Sequence, residues 1–330
     1  MRTAWKALRT LGLLVVVVAG ALLGTAAPGW ALPVFVNDET WAYLSNPQTG
    51  MAVDVEAAAT GDQARVQTWP FHGDLNQYWQ VKKVAGTPYV LVVAAHSRRC
   101  LDVRWGDWNN GTPVWQWGCH GGDAQLWQPE QVAADGAGGV TFRLRNKGSG
   151  RCLEIPGGMA AHGAKLGIWD CHGGRNQEWR YGSYLSNPAR GHVADIPGWH
   201  PHPGMGAQMW TFHGGTNQQF TAAYTAGHGV SARKLRVAHS GLCLGLQNAD
   251  IGRNGARVVQ QVCETDPRGD ANQVWFEERV ASDKWGWPIH RYRNAASGKC
   301  LDIWVHDAAV GARVLQWDCH NGWNQQWRAR

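Results

Sequence analysis

Six times the chain closes a segment with glutamine, one intervening residue and an aromatic ring: Gln77-Tyr78-Trp79, Gln125-Leu126-Trp127, Gln177-Glu178-Trp179, Gln218-Gln219-Phe220, Gln273-Val274-Trp275 and Gln325-Gln326-Trp327. Successive glutamines lie 48, 52, 41, 55 and 52 residues apart. Self-similarity at that period belongs to arrays of supersecondary units, each too small to bury a core until it packs against its neighbours. A longer period is superimposed. Tyr43-Leu44-Ser45-Asn46-Pro47 returns 141 residues on as Tyr184-Leu185-Ser186-Asn187-Pro188, and Phe71-His72-Gly73 returns as Phe212-His213-Gly214. The array is therefore three repeats, doubled. Between the aromatic tails the sequence reads as short strands such as Val90 to Ala94, Thr141 to Arg145 and Arg257 to Gln261, punctuated by Gly, Asn, Asp and Pro. No stretch sustains a helical period. At about 50 residues per repeat there is room for about four short strands each, so the expected class is all-β, in two tandem domains of three repeats.

The N-terminal stretch follows a different logic. Arg2, Lys6 and Arg9 precede an apolar run from Leu11 to Leu23, which is shorter than the roughly 20 residues a membrane span requires. It reads as a secretory signal peptide, residues 1–31, with cleavage after Ala31 or alternatively Ala27. A short lead at 32–40 then precedes a first domain at 41–181 and a second at 182–330. Losing the three leader cations lowers the formal net charge from +6 to +3, too little for a nucleic-acid partner. No later segment is apolar enough to insert into a membrane, and the sequence sets no oligomeric state.

Export implies oxidised cysteines, and their spacing pairs them within repeats. Cys100 and Cys119, Cys152 and Cys171, and Cys300 and Cys319 are each 19 apart, and Cys243 and Cys263 are 20 apart. The first and fourth repeats have none. Ala52 with Phe71, and Val193 with Phe212, stand where cysteines would be, so an apolar contact is expected to replace each crosslink. Zinc is the competing reading of the Cys-His pairs at 119, 171 and 319. Paired Cys-x-x-Cys ligands are missing, however, and His72 and His213 recur without a cysteine, so no metal or other cofactor is expected. His200-Pro201-His202 reads as a loop.

With Cys-Leu-Asp-Val at 100, Cys-Leu-Asp-Ile at 300, Gln-Trp-Asp-Cys-His at 316 and Asn-Gln-Gln-Trp at 324, the chain resembles the ricin-B-type β-trefoil lectins over about residues 41 to 330. That resemblance implies barrels of six strands capped by three hairpins, with one shallow sugar pocket possible per repeat. The chemistry can also be argued directly. A pyranose offers adjacent hydroxyls, which an ionised Asp accepts through charge-assisted hydrogen bonds, and an apolar face, which an indole covers. Galactose, whose axial hydroxyl leaves one face more continuously apolar, suits a flat Trp.

Family members hold the sugar with Asp, an aromatic, His, Asn and Gln, and the resemblance carries these over repeat by repeat. The first repeat supplies Asp54, Trp69, His72, Asn76 and Gln77, and the fourth Asp195, Trp210, His213, Asn217 and Gln218. The sixth supplies Asp302, Trp317, His320, Asn324 and Gln325, with Trp304 as a possible extra wall. Two sets are compromised. The second keeps Asp102, Trp117, His120 and Gln125 but has Ala124 for Asn, and the third has Glu154 for Asp beside Trp169, His172, Asn176 and Gln177. Weaker binding is expected at both. The fifth has Gly245, Gln261 and Glu264 in the carboxylate, ring and imidazole positions, and no sugar is expected there.

Because the fifth repeat loses Asp, Trp and His yet keeps Asn272, Gln273 and Trp275, the tail aromatics Trp79, Trp127, Trp179, Phe220, Trp275 and Trp327 are expected in the core. Turn chemistry is the plainer reading of the Asp residues, and core packing that of Trp69, Trp210 and Trp317. Trp105, Trp108, Trp115, Trp285 and Trp287 either extend subsites or cover hairpins. The acids recur with the fold's period and no separate carboxylate pair or Gly-x-Ser-x-Gly segment stands apart, which favours a sugar-binding protein over a glycosidase. Three complete pockets also argue against a bare protein-binding scaffold.

Overall fold

A computed structural model describes residues 41–134, 140–159, 161–267, 269–305 and 310–329. The expected signal peptide and lead, residues 1–31 and 32–40, lie outside the described residues. The molecule is all-β, and among the described residues its only helical turns are short 3₁₀ pieces.

In the first half, six antiparallel strands close on themselves. Trp41–Asn46 pairs with Tyr78–Lys83, then Val90–Ala94, Trp127–Ala134, Val140–Asn146 and Trp179–Gly182, which returns to Trp41–Asn46. Closure removes the free sheet edges that would invite aggregation. Three hairpins cap this barrel, Met51–Val55 with Val66–Trp69, Cys100–Val103 with Val114–Trp117, and Cys152–Glu154 with Gly167–Trp169. They bridge one another at Arg65 and Trp115, Pro113 and Gly167, and Ala164 and Thr68. The second half repeats the plan from Leu185–Ser186 to Arg328–Ala329, its ring completed by bridges between Tyr184 and Gln219 and between His290 and Trp327. These are two tandem β-trefoils.

Each barrel has its own core, one containing Trp79, Trp127 and Trp179 and the other Phe220, Trp275 and Trp327. These rings lie in the core, as their repeated positions predict. Five of them also set the hairpins. The indole N–H groups of Trp79, Trp127, Trp179, Trp275 and Trp327 donate to the carbonyls of Val53, Leu101, Leu153, Leu244 and Leu301. In each case the acceptor is the residue just before the carboxylate position, so the tail aromatic anchors the strand that carries the site. Phe220 has no N–H to offer, and the fourth repeat does without this bond.

The four disulfides join the pairs that the spacing indicates, with Cα–Cα distances of 5.0 to 5.2 Å. A non-reducing peptide map should recover these four bridges and none between the trefoils. Removing one by Cys→Ser is expected to cost about 3 kcal/mol in chemical denaturation, from the entropy of a loop this size.

The positions without cysteine have a more particular use. Phe71 and Phe212 stack on each other at 4.4 Å and 17°, and each receives a tyrosine edge-on, Tyr43 against Phe71 and Tyr184 against Phe212, both at 4.8 Å. The two trefoils thus meet through equivalent residues, a self-complementary contact across a pseudo-twofold. Ala52 and Val193 share this cluster, so the expected apolar contact exists, but it joins the two barrels as well as filling each repeat. Around it Arg328 Nη1 donates to the Gly73 carbonyl at 3.0 Å, and Lys284 Nζ lies 2.8 Å from Asp74. Burial alone would raise the Asp74 carboxyl, but the Lys284 hydrogen bond and the charges of Lys284 and Arg328 hold it below its ordinary value. A folded value below the unfolded one means that this clamp stabilises above the unfolded pKa and is lost as pH falls through the folded one.

Candidate functional site

In the first repeat the strand Met51–Val55 puts Asp54 opposite Gln67 on its hairpin partner. Asp54 is buried, and three donors converge on it: Asn76 Nδ2 at 2.7 Å, Gln67 Nε2 at 3.1 Å and His72 Nε2 at 3.3 Å. A carboxylate so held is oriented before any ligand arrives. The His72 ring is held in turn, because its Nδ1 accepts the Asp74 backbone N–H at 3.3 Å, leaving the ring proton on Nε2, facing Asp54. Trp69, at the end of the partner strand, is 39% exposed while Trp79 is fully buried, which separates a ring available to a ligand from a ring of the core. Asp54, Gln67, Trp69, His72 and Asn76 line one cleft of about 500 Å³, with Lys284 of the second trefoil at its rim.

The arrangement recurs in the fourth and sixth repeats. Asp195 accepts from Asn217 at 2.8 Å and Gln208 at 3.0 Å, with His213 at 3.4 Å and Trp210 exposed. Asp302 accepts from Asn324 at 2.9 Å and Gln325 at 2.8 Å, with His320 at 3.4 Å, and Trp304 lies 5.7 Å from Trp317 as a second aromatic wall. Burial lifts the Asp302 carboxyl above its ordinary value, against the opposing hydrogen bonds of Gln325 and Asn324 and the charge of His320. The sixth cleft therefore loses its negative charge at a higher pH than an ordinary aspartate would, and ionising Asp302 costs the fold stability as pH rises.

The second and third sets, which depart from the pattern, satisfy their carboxylates differently. Where the second repeat has Ala124 for Asn, the Trp115 indole donates to Asp102 at 2.7 Å, and His120 stands 3.3 Å from the same carboxylate. Trp105 packs edge-on against Trp115 at 4.7 Å and Trp117 at 5.8 Å, making an aromatic cleft of about 250 Å³. Trp105 sits at φ 56° and is 65% exposed, a strained backbone supporting an uncovered ring, the combination associated with binding positions. In the third repeat Glu154 receives His172 at 3.2 Å, Asn176 at 3.3 Å and Gln177 at 3.0 Å on one oxygen. Its cross-strand neighbour is Gly167, where any Cβ would lie 3.0 Å from the Thr112 carbonyl. Trp169 remains exposed.

The fifth repeat is closed. A Cβ at Gly245 would fall 2.8 Å from Gln273 and 2.9 Å from the Asn272 carbonyl, leaving no room for a carboxylate. Asn272 and Gln273 turn instead to the Gln261 side-chain oxygen, each at 3.3 Å. Nearby, Asp270 is buried between His228 and Lys234, both at 2.7 Å, a satisfied structural ion cluster.

Sequence reasoning missed Gln67, Gln208 and the donor role of Trp115. All lie opposite the carboxylate and two residues before the exposed ring, as in Gln67-Thr68-Trp69 and Gln208-Met209-Trp210, which are Gln-x-Trp triplets with a different duty. The tail glutamines divide. Gln77, Gln125 and Gln218 commit both ends to the loop carrying the histidine, accepting from His72, His120 and His213 N–H and donating to Pro70, Gly118 and Thr211. Gln177 and Gln325 reach the carboxylate as well. Trp199, also missed, stands beside His213 with its ring 6.2 Å away, at φ 55°. Trp115 is buried, and Trp285 and Trp287 pack on the inter-barrel cluster. Among the described residues no group of His, Cys, Asp and Glu is placed to hold a metal ion.

Closed six-stranded barrels, each capped by three hairpins, with a buried carboxylate on the hairpin strand in five repeats of six, define a β-trefoil of the lectin class. The family pattern described as ricin-type beta-trefoil lectin domain-like matches the sequence four times, over residues 26–117, 75–169, 123–188 and 175–261. The chain belongs to this ricin-type β-trefoil lectin family. Among solved structures, the designed threefold-symmetric protein ThreeFoil is 33% identical over 43% of this chain and 96% of its own, with a TM-score of 0.40. The ricin B-like lectin of Macrolepiota procera, solved in complex with lactose, is 18% identical over 45% of this chain and 97% of its own, with a TM-score of 0.38. The agglutinin of Abrus precatorius is 18% identical over 88% of this chain and 96% of its own, with a TM-score of 0.33.

Proposed function

We propose that this chain is a secreted, non-catalytic lectin that binds galactose-type or xylan- or arabinan-type glycans through up to five shallow pockets. Those of the first, fourth and sixth repeats are complete, and the two trefoils divide after Tyr181. The observation that supports this reading most is the recurrence of one constellation, a buried carboxylate with an imidazole N–H at 3.2 to 3.4 Å beside an accessible ring, in five repeats of six. A purely structural need for Asp and His would have kept them in the fifth repeat, which folds without them. Secretion is supported by the leader sequence and by four disulfides, which persist in oxidising compartments. In this reading the carboxylates accept hydroxyls rather than activate water, since each is already engaged by an imidazole and by amide or, at Asp102, indole donors.

Single open pockets exclude little water and bind weakly, so retention on a polymer depends on several engaging together. The mature chain should be retained on immobilised galactosylated or xylan-type polysaccharide and released by the matching soluble sugar, with no reducing sugar liberated. Passage through every matrix together with silence on a glycan array sinks the lectin reading, and reducing-sugar release that survives repurification revives a hydrolase.

A further inference from the structure

Between the two barrels, beside the stacked Phe71 and Phe212, runs a cleft of about 670 Å³. It is lined by equivalent residues of both barrels, and it shares His72 and Asp74 with the first-repeat pocket, so the two clefts adjoin at these side chains. Its polar lining is lopsided in charge. Asp74 is engaged by Lys284 at 2.8 Å and Arg328 at 3.4 Å. Arg190, by contrast, has no carboxylate partner among the described residues, and its guanidinium is held over the Trp323 ring at 4.7 Å. Stacking fixes the plane of the guanidinium while leaving its N–H edge to bind, the geometry that suits a carboxylate. His162 and His192 add two further imidazoles to this lining, and Thr49 and Thr211 add hydroxyls. Burial and the nearby Arg190 charge push His192 below its ordinary value, which disfavours a second positive charge beside Arg190.

We propose that this inter-barrel cleft is a further saccharide subsite that takes an acidic sugar, a uronate, with its carboxylate on Arg190 while the neighbouring residue of the same glycan occupies the first-repeat pocket. The inference rests on the lectin reading of that pocket. An extended glycan leaving Trp69 past His72 meets the edge of this cleft at the side chains both share. There a uronate can pair its carboxylate with the stacked Arg190 guanidinium, a charge-assisted contact that a neutral residue cannot make.

Titration calorimetry on the mature chain with two matched pairs of probes tests this: xylotetraose against its glucuronosyl-substituted form, and galactobiose against galacturonosyl-galactose. In at least one pair the acidic member should bind about tenfold more tightly at low salt, the scale of one charge-assisted contact, with the gap closing as salt rises. Arg190→Gln should bring the acidic probe down to the neutral one and leave the neutral affinity and the melting temperature unchanged, with Arg190→Lys in between. Neutral probes that bind with no acidic gain, or a gain that persists in Arg190→Gln, overturn the subsite alone. Failure of all four probes to bind the wild-type chain, with passage through every polysaccharide matrix and a silent glycan array, removes the lectin reading and this inference with it; failure of the four probes alone overturns the subsite.

Discussion

Replacing Asp54, Asp195 and Asp302 together by alanine is expected to abolish most glycan binding. Each carboxylate is the charged acceptor of its cleft, and a hydrogen bond to a charged group contributes about 1.5 to 3 kcal/mol, roughly a tenfold to hundredfold loss per pocket. On a polymer the loss compounds, because joint engagement of several pockets raises apparent affinity by about 100-fold to 10,000-fold. Alanine also strands the amides of Asn76, Asn217 and Asn324, so the isosteric set Asp54→Asn, Asp195→Asn and Asp302→Asn serves as a companion that removes charge with less damage. Titration calorimetry of both sets, with circular dichroism for the fold, gives the comparison, and Gln261→Ala in the closed fifth repeat should change nothing. Undiminished affinity in a folded triple variant would place the sites elsewhere.

Phe71→Ala with Phe212→Ala is expected to uncouple the two barrels. Truncating a buried Phe typically costs about 3 to 5 kcal/mol, and the half-buried Phe212 should fall at the lower end or below. The loss is concentrated where two self-sufficient cores meet, so its signature is a change in cooperativity as well as in midpoint. Scanning calorimetry should show one transition in the wild-type chain splitting into two in the double variant, with Tyr43 and Tyr184 losing their edge-on partners. A single transition at an unchanged temperature would show that the stack contributes nothing to coupling.

How much of this was legible in the sequence depends on the range of the contact. The tail tryptophans were assigned to the core and are there, because a large ring kept in a repeat that has lost its polar partners has little left to do but pack. Asp54 and His72, 18 residues apart, were named together and meet at 3.3 Å. Gln77 was grouped with them on resemblance, yet its amide serves the backbone of the histidine loop, and the donor beside the carboxylate is Gln67. Both belong to Gln-x-Trp triplets, and only strand register tells them apart, since Gln67 lies directly across the hairpin from Asp54. Trp115 was one of five tryptophans without an assigned task, and its register opposite Asp102 gave it one.

The sequence by itself determined the repeat number, the doubling, the all-β class and the disulfide pairs, and it paired each carboxylate with the histidine 18 residues on. These are relations within one repeat, and periodicity reports such relations because every unit must solve the same local packing problem. Only the tertiary structure decided that Phe71 and Phe212, which stand where other repeats have cysteines, would stack on each other, that Trp199 and Trp105 would stand beside particular clefts, and that Arg190 would line a cleft adjoining the first pocket. Periodicity marks Phe71 and Phe212 as equivalent. It says nothing of whether equivalent surfaces touch, which depends on how two closed barrels bury the apolar patches that neither covers alone.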